Sequence, residues 1–207
     1  WTKVRDAGYE FVFIRLGYRG YESGHLNLDV YFKQNLEGAK AAGLDVGVYF
    51  FSQAISREEA REEAAYVIEN LGGTELQLPI MYDCEVISFD KARTDNQTGK
   101  EVSENTAEFC AAIEKAGYRA GYYANLKWEF FMLDMELLKD YEVWFAGYEE
   151  LPSTPYKFNY WQYSDKGEVP GIAAETDLNL QMIPADQVKE DTMQAEEQQT
   201  GQQQTGQ

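Results

Sequence analysis

Short apolar runs rich in β-formers alternate with stretches of helical spacing along this chain, and that alternation leaves few folds open. The runs lie at residues 10–16 (EFVFIRL), 45–51 (DVGVYFF), 78–85 (LPIMYDCE) and 119–124 (RAGYYA). Helices are expected between them over 28–42, closed by Gly43, and over 103–116, closed by Gly117. Another is expected from the capping box Ser56-Arg-Glu-Glu59 to Gly72-Gly73. A further helix is expected over 126–138, and strands over 141–146, 158–163 and 176–180 follow with little helix between them. Apolar strands separated by helices belong to a parallel sheet covered by helices, either a barrel or a doubly wound sheet. The doubly wound alternative usually carries a glycine-rich phosphate turn after its first strand. Leu16-Gly-Tyr-Arg-Gly20 lacks that spacing, so no nucleotide cofactor is expected. Several runs end in polar or aromatic residues, as barrel strands do where they build a site. The expected class is α/β, an irregular TIM-like β/α barrel.

Charge and composition narrow the chemistry. The chain has 207 residues, with 18 Lys plus Arg against 36 Asp plus Glu and a net charge of −18. Such an acidic chain does not displace counterions from nucleic-acid phosphates, nor does it dock on an anionic membrane surface. No apolar run approaches the roughly 20 residues that cross a bilayer, so no membrane insertion is expected. The single histidine, His25, follows Gly24 in a polar stretch, which removes most zinc hydrolase designs. No metal or other cofactor is expected, and acid–base work falls to carboxylates. Cys84 and Cys110 read as buried thiols, with their pairing left open. Residues 185–207 hold eight Gln and no aromatic side chain and read as a disordered Gln-rich linker or tail. Residues 1–184 are left as the folded domain.

The segment Tyr82-Asp-Cys-Glu85 is the most informative. Residues two apart on a strand share a face, so Asp83 and Glu85 point together and Cys84 points away. Two carboxylates about 7 Å apart along the backbone repel each other, and partial burial adds to the effect. One of them can then stay protonated near neutral pH beside an ionised partner, as glycoside cleavage requires. Asp177 and Asn179 share a face in the same way on the last strand. The aromatic strand ends, with Tyr123, Trp144, Tyr160, Trp161 and Gln162, supply platforms and amides for sugar rings. Arg15 sits inside an apolar run, where a buried guanidinium needs anionic partners, and the barrel carboxylates are candidates.

Segments 8–18 (GYEFVFIRLGY), 47–52 (GVYFFS), 78–85, 121–125 (GYYAN), 160–163 (YWQY) and 177–179 (DLN) resemble, in that order, successive strands of glycoside hydrolase family 25. Its members are cell-wall lysozymes, β-1,4-N-acetylmuramidases. The resemblance covers roughly residues 1–180 and implies an irregular barrel with Glu85 as general acid/base. It implies that Asp83 assists, either as nucleophile or by orienting the substrate 2-acetamido group as that group attacks the anomeric carbon. Asp177 matches the last-strand carboxylate of the pocket, and Tyr123, Trp161 and Gln162 match residues lining the sugar site. The implied partner is the glycan strand of bacterial peptidoglycan, met outside the cell or at the wall, and the chain is expected to act as a monomer. Family members begin with a strand carrying an Asp-x-Ser motif, followed by a segment ending near Asp-Trp. Trp1 matches that Trp, so the first strand is expected to be missing from this chain. The rival expectation is a barrel that binds peptidoglycan without cleaving it.

Overall fold

A computed structural model describes residues 1–85 and 91–182. The expected tail over 185–207 lies outside the described residues. The described chain builds one eight-stranded sheet from β1 (Phe11–Arg19), β2 (Leu26–Leu28), β3 (Asp45–Phe51), β4 (Ile80–Asp83), β5 (Ala120–Asn125), β6 (Glu142–Ala146), β7 (Tyr160–Gly167) and β8 (Thr176–Gln181). The strand order is β2-β1-β3-β4-β5-β6-β7-β8. Neighbours from β1 to β7 run parallel, and β2 and β8 pair antiparallel at the two edges. The helices are α1 (Thr2–Asp6), α2 (Phe32–Ala41), α3 (Arg57–Leu71), α4 (Gly99–Lys115) and α5 (Leu126–Phe131).

Local chemistry sets the boundaries. Ser56 Oγ accepts the Glu59 amide to open α3, and Gly72, with φ 58°, closes it in the left-handed conformation. The Glu59 carboxylate reaches back to the amide of Ile55 rather than to that of Ser56. α4 starts upstream of the expected residue 103, because Thr98 and Glu101 form a reciprocal capping box. The expected helix over 28–42 begins only at Phe32. Leu28 instead belongs to β2, and Asp29 Oδ1 accepts the Tyr31 amide at 2.9 Å in the turn that follows. The expected helix over 126–138 stops at Phe131, where the Met132 and Leu133 amides both turn back to the Trp128 carbonyl.

The two faces of the sheet bury different sets of side chains. On the helix side, Ile14, Leu16, Val46, Val48, Phe50, Ile80, Tyr82, Tyr122 and Phe145 form one cluster with Ala60, Ala64 and Val67 of α3 and Phe109 and Ile113 of α4. On the other face Leu78, Met81, Trp144 and Tyr160 gather with Phe11, Phe13, Tyr49 and Tyr123. In this second cluster the Phe13 ring stacks on Trp144 at 4.8 Å and meets Tyr160 edge-on at 5.0 Å. β3, β4 and β5 separate β1 from β6 in the sheet, so these contacts require the sheet to curl strongly around its inner face. Gly47 makes room for the ring, since a Cβ there would lie 2.5 Å from Phe13 Cε1 and 2.8 Å from Leu78 Cβ. The result is mixed α/β and barrel-like, with β2 and β8 as edges. β2 covers only Gly17–Arg19, and Phe11 to Arg15 pair with β3 alone.

Candidate active site

The C-terminal ends of the parallel strands converge on the Asp83–Glu85 segment. β4 ends at Asp83, whose carbonyl accepts the Ser52 amide at 2.7 Å from the end of β3. Asp83 is buried, Glu85 is partly buried, and Cys84 between them turns into the helix-side cluster. The strand period thus does what the sequence led one to expect. The two carboxyls are close enough to perturb each other's titration. Burial holds Asp83 well above the usual carboxylate range; the charge of Glu85, its hydrogen bond and Asp177 add to this, and Arg15 opposes it. Burial also raises Glu85, against the pull of the Asp83 hydrogen bond. The pair therefore keeps a proton into a pH range where an exposed carboxyl has lost it. Asp83 Oδ1 is buried without a hydrogen-bond partner among the described residues. Asp177 on β8 is also raised, first by burial and then by Asp165.

Tyr123 of β5 and Tyr148, just past β6, form the opposite wall. Both hydroxyls donate to Gln162 Oε1 of β7, at 3.0 and 2.8 Å, and fix the direction of that amide. Burial and the nearby Glu85 charge push the Tyr123 hydroxyl far up, so it remains a donor. Trp144 Nε1 donates to Asn179 Oδ1 at 2.7 Å and ties β6 to β8. Trp161 is not brought to this wall. It alternates to the sheet face opposite Tyr160 and Gln162, packs against the helix-side cluster and donates from Nε1 to the Gly147 carbonyl at 2.7 Å.

Arg15 corrects the expectation of a buried guanidinium held by the barrel carboxylates. Its side chain is about half exposed, pairs with Asp29 at 2.7 Å and lies over the Tyr18 ring at 5.8 Å. The cause is local: β1 shifts register between Arg15 and Gly17, and the turn after β2 brings Asp29 to the guanidinium. Its charge still reaches Asp83, which it lowers.

Sequence reasoning missed Tyr49, Tyr148, Asp29 and Asp165. Tyr49 carried a usable signal, because it lies two residues after Gly47 on the same strand face; burial and the Asp83 charge raise its hydroxyl. Tyr148 and Asp29 lie outside the strands, where no periodicity marks them, and Asp165 lies in the polar last part of β7. Cys84 and Cys110 are both free and buried. Among the described residues no cluster of three or more His, Cys, Asp or Glu is placed to hold a metal ion. No described helix is long and apolar enough to cross a membrane.

The family model for glycosyl hydrolases family 25 matches residues 1–172. An autolytic lysozyme from Clostridium acetobutylicum is 27% identical over 177 residues, which cover 85% of this chain and 50% of that protein. The chain thus spans about half the length of that curated relative. Among solved structures, the modular autolysin LytC from Streptococcus pneumoniae, in complex with a synthetic peptidoglycan ligand, superposes with a TM-score of 0.73 at 22% identity. That match covers 86% of this chain and 42% of LytC. A family 25 glycosyl hydrolase from Bacillus anthracis gives a TM-score of 0.73 at 21% identity, over 92% of this chain and 86% of its own. These two likenesses show a shared fold.

Proposed function

The chain belongs to glycosyl hydrolase family 25, and on that premise we propose that it is a peptidoglycan hydrolase, a lysozyme that cleaves the β-1,4 bond between N-acetylmuramic acid and N-acetylglucosamine. The observation that carries this reading is the Asp83–Glu85 pair at the end of β4, buried at Asp83 and partly buried at Glu85, with both carboxyls held above their ordinary range. Glu85, the more exposed of the two, is the general acid. It protonates the glycosidic oxygen as the bond to the anomeric carbon breaks, and its carboxylate then takes a proton from the attacking water.

The route is substrate assistance, with Asp83 orienting the acetamido group rather than attacking the anomeric carbon itself. With the pair's shared proton on Glu85, the acetamido carbonyl oxygen attacks the anomeric carbon while the ionised Asp83 accepts the acetamido N–H and stabilises the positive charge that develops. Asp177, Tyr123 and Gln162 line the sugar site, with Trp161 behind Gly147 and Arg15 on the β1 side. Residues 1–184 form the catalytic domain, which acts as a monomer on the wall, outside the cell.

The test is clearing of purified cell walls by the protein, with mass spectrometry of the products. Reducing-end N-acetylmuramic acid is expected. N-acetylglucosamine at that end would make the enzyme a glucosaminidase, and binding of muropeptides without cleavage would make the barrel a binding module.

A further inference from the structure

Behind the Asp83–Glu85 pair, on the helix side of the sheet, lies a polar network that the chemistry above does not use. Glu63 of α3 is fully buried, and its carboxylate receives the donors around it. Arg19 Nε donates to Oε1 at 2.8 Å, as does the Gln53 amide at 3.4 Å, and Ser52 Oγ donates to Oε2 at 2.6 Å. With the Ser52 proton given to Glu63, the Tyr82 hydroxyl 2.7 Å away donates to Ser52 Oγ, and so does the Ala54 amide at 3.1 Å. Arg19 is buried too, held further by the Gly24 and Glu59 carbonyls and by Glu62. A buried ion pair gains little stability over well-packed apolar side chains of the same volume. Its value here is better sought in what it holds in place.

What it holds is the end of β4. Ser52 grips two consecutive residues there: the Tyr82 side chain through its hydroxyl, and the Asp83 carbonyl through its amide at 2.7 Å. We propose that Glu63, acting through Ser52, is a positioning residue for the Asp83–Glu85 pair, fixing the end of β4 so that the two carboxyls meet. This rests on the muramidase reading of that pair. The groups that face Glu63 are Arg19 from β1, Ser52 and Gln53 beyond β3, and Tyr82 and Cys84 at β4, with Glu62 on its own helix. Burial pushes the Glu63 carboxyl up to about 7 against the pull of Ser52 and Arg19.

Two variants test the relay without breaking the buried ion pair. Tyr82→Phe keeps the ring and its packing but removes one donor, and Ser52→Ala removes the relay hydroxyl. The readouts are kcat and KM on soluble muropeptide chains across pH, and the titration of Asp83 and Glu85 followed by carbon NMR of labelled carboxyl groups. The expected result is a kcat lower by about tenfold or more at unchanged KM, with a displaced pH profile and a moved titration midpoint for the pair. Folded variants with wild-type kcat, KM, pH profile and carboxyl titration would overturn the positioning role. If Ser52→Ala fails to fold, Tyr82→Phe decides alone. The titration does not depend on turnover: a moved midpoint in a chain that cleaves no glycan supports the positioning role and refutes the muramidase reading.

Discussion

Replacing Phe13 by Ala removes the ring that joins β1 to the far side of the curled sheet. That ring stacks on Trp144 at 4.8 Å, meets Tyr160 edge-on at 5.0 Å and covers Gly47. Truncating a core Phe costs about 3–5 kcal/mol, and Phe13 is only partly buried, so about 3 kcal/mol is expected. Within that figure each of the two ring pairs accounts for about 0.5–1.5 kcal/mol. In a domain of this size 1 kcal/mol moves Tm by about 2–4 °C, which gives a fall of about 6–12 °C. Urea unfolding followed by far-UV circular dichroism, read as a change in midpoint at constant slope, measures the loss. A double-mutant cycle with Trp144→Leu isolates the ring pair and should return a coupling of about 1 kcal/mol. Gly47→Ala supplies the converse. Alone it overpacks the inner face by about 1–3 kcal/mol, and in the Phe13→Ala background most of that cost should vanish. A loss under about 1 kcal/mol with no coupling to Trp144 would refute the curl, because β1 would then not reach β6.

Asp83→Asn should abolish wall clearing yet raise stability at neutral pH. The folded-state carboxyl is raised by burial and by Glu85, so the native chain binds more protons than the unfolded one between the ordinary carboxylate range and the raised value. Wild-type stability therefore falls as pH rises through that window, whereas the amide has nothing to ionise. Calorimetry should show the variant melting above wild type at pH 7 and the gap closing near pH 4; a gap that widens on acidification would contradict the burial of the charge. Thr98→Ala should cost about 1 kcal/mol by removing one half of the α4 capping box, measured by urea titration, and an unchanged midpoint would mean that the box holds nothing. Gln162→Ala should raise KM for muropeptide chains more than it lowers kcat, since the Tyr123 and Tyr148 hydroxyls both donate to that amide and aim it. Equal loss in both constants would count against a binding role.

How much of this was legible in the sequence depends on whether a backbone period carried the signal. The alternation of β1, β3, β4 and β5 with helices was legible because buried parallel strands are apolar on both faces and the helices between them carry caps. The Asp83–Glu85 pair was legible for the same reason: period two puts both carboxyls on one face, and Cys84 does turn the other way. Leu28 was drawn into a helix because β2 is a three-residue strand, too short for any pattern, and its pairing depends on Gly17 allowing close approach. The Thr98 capping box was present as Thr-x-x-Glu, but it lay in a polar stretch ahead of the helix expected over 103–116. Arg15 was misjudged because burial was inferred from its neighbours in sequence, whereas Asp29 reaches it through the turn after β2. Glu63 lies in the charged stretch 57–63 (REEAREE), where nothing local marks one acid for burial, and only its contacts with Arg19 and Ser52 in the folded chain show it. Tyr148 and Asp165 come to the site through loop paths and a strand end that no local rule specifies.

The central claim is that Glu85 is the proton donor and acceptor of a glycan hydrolase, and one measurement addresses it most directly. The chain, as wild type and as Glu85→Gln, would be assayed on soluble muropeptide chains by mass spectrometry, with substrate binding measured on the same samples. The proposal predicts that the variant binds as the wild type does and loses about 10²–10⁴-fold in kcat, because only the proton transfers are removed. A Glu85→Gln variant that still releases reducing-end N-acetylmuramic acid at a near-normal rate would contradict it.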